Sequence, residues 1–115
     1  MRSLILALGF VAAAALPARA ETIQPVDAKA HVGKTVTIQA PVTEVKTGRG
    51  GVTFLDMGGS FPDNAFAAVI FASDLAKFPG AKTLKGKTVA ISSEVVLYQD
   101  RPEIILKTAD QLKAN

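Results

Sequence analysis

A four-residue segment, Gly-Lys-Thr-Val, occurs twice in this chain and constrains its fold more than any other feature. The copies lie at residues 33–36 and 86–89, and each opens a run in which apolar and polar residues alternate. Alternation with period two places every second side chain on the same face of a strand. The two segments are therefore predicted to form similar long strands, each with one buried face. The predicted buried residues are Val36, Ile38, Ala40 and Val42 in the first strand, and Val89, Ile91, Val95 and Leu97 in the second.

The same segment also resembles the end of a phosphate-binding loop, but its surroundings do not fit one. That motif needs a glycine five residues before the Gly-Lys pair and a helix after it. This chain has Ala28 and Ala81 at those positions, and both copies lead into strand patterns. Each glycine is instead predicted to end a turn, with the threonine starting a strand.

The first 20 residues have the pattern of a secretory signal peptide. Arg2 precedes an apolar stretch over residues 4–16, and residues 17–20 end in an Ala-x-Ala cleavage site. This stretch is shorter than the roughly 20 residues that a membrane-spanning helix needs. We expect cleavage near Ala20, a periplasmic or secreted protein without membrane insertion, and one domain over residues 21–115.

Removal of the signal peptide leaves the chain almost neutral. Arg2 and Arg19 are lost, so 11 basic side chains face 10 acidic ones, a net charge of +1. Any affinity for nucleic acid must then come from a local basic patch rather than from bulk charge. The chain has no cysteine, so its stability must come from packing without disulfides.

The order of predicted elements is strand, strand, strand, helix, strand, strand. The predicted strands cover residues 34–46, 52–57, 65–71, 86–98 and 103–107, with a short helix at 73–78 and a turn at 99–102. Pro41 cannot donate to a strand ladder, so it is predicted at an edge or bulge where the first strand bends. In an all-β chain of this size, this order is typical of the five-stranded Greek-key barrel called the OB-fold, with one short helix between strands three and four.

Several segments resemble bacterial OB-fold domains of the nucleic-acid-binding, tRNA-anticodon-like type. They are the Gly-Lys-Thr-Val-x-Ile opening, Thr-Phe-Leu-Asp-Met at residues 53–57, the apolar run at 65–71, and Arg-Pro-Glu-Ile-Ile-Leu at 101–106. The resemblance covers about residues 33–112 and implies the OB-fold more firmly than it implies a ligand.

One segment resembles a more specific motif. Residues 54–59, Phe-Leu-Asp-Met-Gly-Gly, are similar to the Phe-x-Asp-x-Arg-Asp segment of anticodon-binding OB domains in class II aminoacyl-tRNA synthetases. The resemblance implies that Phe54 stacks on a base. Gly58 and Gly59 replace the Arg-Asp end, so the polar contacts of the motif are not implied here.

The predicted ligand-binding face lies on the second and third strands. If Phe54 and Asp56 point outward, the matching choice on the third strand exposes Phe66, Ala68 and Ile70 and buries Ala67, Val69 and Phe71. Phe54 and Phe66 would then form a stacking platform; the alternative is that both rings pack in the core. Phe71 and Phe78 are predicted core residues beside the helix. The predicted ligand-binding residues are Lys46, Arg49, Phe54, Asp56, Phe61, Phe66, Tyr98 and Arg101.

Residues for catalysis are scarce. The chain has one histidine and no cysteine, and its acids and arginines show no recognisable catalytic spacing. We therefore expect a non-enzymatic domain without metal or cofactor. Two functions remain open at this stage. One is binding of single-stranded DNA or RNA, or of another oligomeric ligand; the other is a periplasmic interaction or stress-related role with a protein or small anionic ligand.

Overall fold

A computed structural model describes residues 20–114, so the predicted signal peptide lies outside the described residues except for Ala20. Within this range the chain is almost entirely β-structure joined by turns and short 3-10 helices. The strands are β1 (Glu21–Ile23), β2 (Thr35–Thr47), β3 (Thr53–Met57), β4 (Phe66–Ile70), β5 (Thr88–Glu94), β6 (Val96–Tyr98), β7 (Arg101–Ile105) and β8 (Leu112–Ala114). The 3-10 helices are Pro25–His31, Arg49–Gly51, Ala72–Lys77, Ala81–Thr83 and Ala109–Gln111.

The two Gly-Lys-Thr-Val copies open β2 and β5, and these strands pair antiparallel with each other. Val36 lies opposite Ser93, and Ala40 lies opposite Val89. Gly33 and Gly86 have φ angles of +86° and +83°, in the left-handed region that favours glycine. The repeated glycine is thus explained by the backbone, and the prediction that each copy opens a strand is confirmed.

Strand β2 bends at Pro41 and belongs to two sheets. Up to Pro41 it pairs with β5, and from Val42 onward it pairs with β3. The register shifts between Val42 and Glu44, where the hydroxyl of Thr43 donates to the carbonyl oxygen of Asp56 over 2.9 Å. The predicted edge or bulge at the proline is therefore confirmed, because the ladder changes partner at that residue.

Hydrogen-bonded neighbours follow the order β6-β7-β4-β3-β2-β5-β8, with β1 added beside β2. The β4–β7 and β1–β2 pairs are parallel, and the other pairs are antiparallel. One hydrophobic core lies between the two sheets that share β2. Its largest fully buried side chains are Phe66, Ile38, Leu55, Met57, Ile70, Ile91, Ile104, Leu106, Val36, Val42, Val89 and Val95.

The all-β prediction is confirmed, and residues 20–114 form eight strands where five were expected. Three-residue strands β1 and β8 were not predicted, and the predicted fourth strand is divided into β5 and β6 at Val95. The predicted short helix is present as a 3-10 helix, Ala72–Lys77, one of five such segments between residues 20 and 114. Leu97, predicted to be buried, lies beyond the division and is 47% exposed.

The start of the predicted fifth strand is also wrong. The chain reverses at Gln99 and Asp100, which have φ angles of +51° and +65°. Arg101 and Pro102 therefore belong to β7 and not to the turn. Among residues 20–114, no helix is both long enough and apolar enough to cross a membrane.

Candidate ligand-binding groove

A groove lies on the outer face of the sheet formed by the second half of β2 with β3, β4, β7 and β6. Outward residues of neighbouring strands form two rows across this face. The first row contains Lys46, Phe54, Val69 and Ile105. The second contains Glu44, Asp56, Ala67, Glu103 and Val96. Residues paired across strands lie on the same side of a sheet, and all members of these rows except Glu44 line the groove.

The groove has two connected parts. One part, the Phe61 groove, has a volume of about 350 Å³ and is bordered by the β3–β4 loop and the β6–β7 turn. The other, the Phe71 groove, has a volume of about 580 Å³ and extends toward the Arg49–Gly51 hairpin. Phe54, Tyr98 and Glu103 line both parts, so the two form one continuous surface.

Seven of the eight predicted ligand-binding residues line the Phe61 groove. They are Lys46, Phe54, Asp56, Phe61, Phe66, Tyr98 and Arg101. The eighth, Arg49, lines the Phe71 groove instead. The sequence therefore identified seven residues that come together in one groove.

The assumed orientation of β4 is wrong. Phe66 lies opposite Met57 and is only 1% exposed, and its neighbours Ala68 and Ile70 are also buried in the core. Ala67 and Val69 are the residues on the face of Asp56 and Phe54. Phe66 therefore supports the groove from the core side, and its ring is not available as a stacking surface.

Phe71 was predicted to lie in the core, but it lies at the surface. It is 44% exposed and lines the Phe71 groove, whereas Phe78 is buried as predicted. The aromatic rings that face the groove are those of the half-buried Phe54 and of the exposed Phe61 and Tyr98.

Two cations hold the Phe61 ring at the rim of the groove. The Nζ of Lys46 lies 4.3 Å from the ring centroid, and the Cζ of Arg101 lies 4.7 Å from it. Each such contact is worth about 0.5–1 kcal/mol at an exposed site. The loop is thus fixed by the same side chains that bring positive charge to the groove.

Arg101 also makes hydrogen bonds to the loop. One guanidinium nitrogen donates to Asn64 Oδ1 over 3.1 Å, and the other donates to the carbonyl oxygen of Pro62 over 2.6 Å. The planar guanidinium is suited to this forked contact. Arg101 therefore joins β7 to the loop between β3 and β4.

Asp56 is the most deeply buried charged residue of the groove, at 2% exposed. Its Oδ2 lies 3.6 Å from Lys46 Nζ. Burial raises the pKa of this carboxyl, against opposing effects from Lys46 and from the backbone N–H of Phe61. Removal of the carboxyl from water is therefore only partly offset by its neighbours.

Glu103 was not among the predicted site residues, although it lines both parts of the groove. Burial raises the pKa of this carboxyl as well, while Arg101 lowers it and Asp56 raises it further. Asn64 was also missed. The signal for Glu103 was present in the sequence, because alternation from Arg101 places Glu103 and Ile105 on the same face once Arg101 is assigned to the strand.

The structure explains why Gly58 and Gly59 stand where the synthetase motif has Arg and Asp. Both residues have positive φ angles, +72° and +107°. A Cβ at Gly58 would lie 2.9 Å from the Cβ of Ala65, closer than packed carbon atoms allow. The chain turns too tightly here to carry the Arg-Asp pair of the synthetase motif.

In the described part of the chain, no group of three or more His, Cys, Asp or Glu side chains is placed to hold a metal ion. The chemistry of the groove is that of aromatic surfaces, two rim cations and two partly buried carboxyls. This arrangement suits non-covalent binding of a ligand that has both flat rings and hydrogen-bonding groups.

No protein-family model matches the chain. No curated protein matches it either. Among solved structures, the chain is similar to one described as an aspartyl-tRNA synthetase from Leishmania major Friedlin, with a TM-score of 0.56 and 13% sequence identity. The match covers 87% of this chain but only 21% of the other, so this chain corresponds to about a fifth of that protein. At this identity the likeness concerns the fold alone.

Proposed function

We propose that this protein is an exported, non-enzymatic domain of the OB-fold type that binds single-stranded nucleic acid in the groove. The observation that carries the proposal is the meeting of three aromatic rings and two cations on one sheet face. Phe54, Phe61 and Tyr98 supply the rings, and Lys46 and Arg101 supply the charge. Single-stranded nucleic acid is recognised by this combination of stacking surfaces and basic groups.

The strand pairing supports the OB-fold part of the proposal. Strands β5 and β6 are separated by one buried residue, Val95, yet β5 pairs with β2 while β6 pairs with β7. If β5 and β6 are taken as two halves of one strand, the hydrogen-bonded neighbours form a closed ring, from β6 through β7, β4, β3 and β2 back to β5. That leaves five principal strands with a parallel pair, β4 and β7, and the groove lies between the first hairpin and the last one, as in OB-folds.

The signal-peptide pattern supports export. The near-neutral charge of the chain without its first 20 residues fits binding by stacking, because stacking adds about 1–3 kcal/mol per base with little dependence on net charge. The likeness to a tRNA synthetase structure agrees with a nucleic-acid ligand but concerns only the fold.

A protein partner is the second candidate, and one observation favours it. Phe71 and Leu97 are both close to half-exposed and line the Phe71 groove beside Tyr98. Exposed apolar residues gathered in a groove are typical of protein interfaces. In this case the Phe71 groove would be the docking surface, and oligonucleotides would not bind.

Replacement of Phe54 by alanine tests the proposal. We expect this variant to bind labelled oligothymidine about 5- to 150-fold more weakly than the original protein, since one stacking surface is lost. Fluorescence anisotropy at low salt measures the affinity. The matched control is Phe71→Ala, which removes an exposed ring from the other part of the groove and is expected to change affinity less. Absence of binding to any DNA or RNA oligomer would reject the nucleic-acid proposal.

The affinity for oligothymidine is expected to rise as the pH falls from neutral toward the ordinary pKa range of carboxyls. Asp56 and Glu103 have raised pKa values, so they take up protons above the usual pH range of carboxyls. The charged and titratable groups around them are Glu44, Lys46, Tyr98 and Arg101. Neutralising one carboxyl about 7 Å from a phosphate in water changes affinity by about threefold.

The double variant Asp56→Asn, Glu103→Gln isolates this effect. It is expected to bind oligothymidine more tightly at neutral pH and to lose most of the pH dependence measured by anisotropy. An unchanged pH profile in the double variant would show that these carboxyls do not face the bound strand.

A further inference from the structure

The loop between β3 and β4, residues 58–65, covers a charged side chain. Asp56 lies on the outer face of the sheet, in the same row as Ala67, yet it is only 2% exposed. Its carboxyl faces Lys46 and the backbone N–H of Phe61, and the Phe61 ring in turn contacts Lys46. The cover over Asp56 therefore includes this loop, and opening of the loop would return the carboxyl to water.

Contacts at the protein surface hold the loop closed. Residues 58–63 are all exposed. The ring of Phe61 contacts Lys46 and Arg101, and Arg101 donates hydrogen bonds to two further loop residues. A segment with few buried contacts opens at a lower cost in free energy than the core does. A change in charge beneath the loop can therefore shift it between a closed and an open form.

The ionised form of Asp56 opposes closure of the loop. Its Oδ2 is buried without a hydrogen-bond partner among the described residues, since Lys46 Nζ at 3.6 Å is beyond hydrogen-bonding distance. Glu44 lies opposite Asp56 on β2 and repels it, and Glu44 is itself paired with Lys85 at 3.2 Å. Asp56 and Glu103 on β7 also repel each other. A buried acceptor without a donor is unfavourable.

The effect of protonation on the loop follows from the burial of Asp56. Burial is the largest influence on this carboxyl and raises its pKa. An open loop would expose the carboxyl to water and return its pKa toward the ordinary value. The closed form thus binds the proton more tightly than the open form, so proton uptake stabilises the closed form and ionisation stabilises the open one.

We propose that Asp56 is a proton-operated switch that sets how firmly the β3–β4 loop closes on the Phe61 groove. The carboxylate biases the loop toward opening, and the neutral carboxyl favours closure. In the closed form Phe61, Asn64 and Ala65 line the groove, so the switch controls whether this wall is in place. The inference holds for any ligand of the groove, and its test needs none.

Amide hydrogen exchange measures closure of the loop in the protein without ligand. The amides of Asp63 and Ala65 report it, because they donate to the carbonyl oxygens of Ser60 and Gly58 over 2.8 and 2.9 Å, in bonds that do not involve Asp56. Asp56→Asn is expected to slow exchange at both amides by at least about fivefold, because it removes a buried charge that lacks a donor.

The pH dependence of the original protein is a second measurement, which does not depend on the stability of any variant. Protection of the two amides, corrected for intrinsic exchange rates, is expected to rise as the pH falls from neutral toward the ordinary pKa range of carboxyls. Asp56→Asn is expected to lose this rise. The matched control is Asp63→Asn, which neutralises an exposed acid of the same loop and is expected to keep the rise at Ala65.

Two results would overturn the switch. One is protection in the original protein that does not change with pH. The other is faster exchange in Asp56→Asn, because the carboxylate would then hold the loop closed. Neither result bears on nucleic-acid binding, which is measured separately with oligonucleotides.

Discussion

Replacing Ile38 with alanine is expected to lower the free energy of unfolding by about 2–5 kcal/mol. Ile38 lies at the centre of the sheet that β2 forms with β1 and β5, opposite Ile23 on one side and Ile91 on the other. All three side chains are buried in the same core. The substitution removes three carbon atoms from a closely packed site and leaves a cavity that its rigid neighbours cannot fill.

The effect is large relative to the stability of the domain. Single domains have unfolding free energies of about 5–15 kcal/mol, and this chain has no cysteine to add a disulfide. The loss is expected to lower the melting temperature by about 10–30 °C, measured by circular dichroism together with denaturant titration. Val26→Ala is the matched control because Val26 is 73% exposed. A loss below about 1 kcal/mol for Ile38→Ala would contradict the central position of this residue in the core.

The long strands could be predicted because their residues alternate clearly. The runs after the two glycine repeats have one apolar face, and Pro41 marks the residue at which β2 changes partner. Strands β1 and β8 have only three residues each, too few for a periodic pattern. They form because longer neighbours, β2 and β5, provide free ladder positions, which is a tertiary effect rather than a local preference.

The orientation of β4 could not be read from its sequence for a different reason. All five of its residues are apolar and buried, so there is no alternation to distinguish its faces. One face packs in the core, and small residues such as Ala67 lie under the groove on the other. Phe66 was predicted to face outward because it was assumed to form a stacking platform with Phe54. The register with β3 instead places Phe66 opposite the buried Met57.

The composition of the groove was more predictable than its geometry. Most of the predicted lining residues were the aromatic and basic residues near the two hairpins. They come together because loops at one end of a sheet lie close together. The role of Arg101 was not predictable, because it depends on contacts with Pro62 and Asn64, 39 and 37 residues away in sequence. Glu103 was missed because the predicted turn extended two residues too far, to Pro102, and this hid the alternation that begins at Arg101 in β7.

Replacing Arg101 with alanine is expected to weaken oligonucleotide binding by at least tenfold. The change removes one of two rim cations and, with it, the contacts that hold the β3–β4 loop at Phe61, Pro62 and Asn64. If Arg101 contacts a phosphate, the slope of log affinity against log salt decreases by about 0.7 for single-stranded DNA. Anisotropy over a salt series measures both quantities.

The variant Arg101→Lys separates charge from positioning. Lysine retains the positive charge and hence the salt slope, but it lacks the planar fork that reaches Asn64 and Pro62 together. We expect Arg101→Lys to bind with intermediate affinity and to show faster amide hydrogen exchange over residues 60–64, as Arg101→Ala does.

Lys113→Ala, on the edge strand of the other sheet, is the control for loss of one charge. If Arg101→Ala and Lys113→Ala have the same affinity for the oligonucleotide and the same salt slope, Arg101 does not contact the ligand. If amide hydrogen exchange over residues 60–64 is also unchanged, the forked contact of Arg101 does not hold the loop. Faster exchange with unchanged binding would assign Arg101 a purely structural role, and Lys46 would then be the cation that the Phe61 groove offers to a ligand.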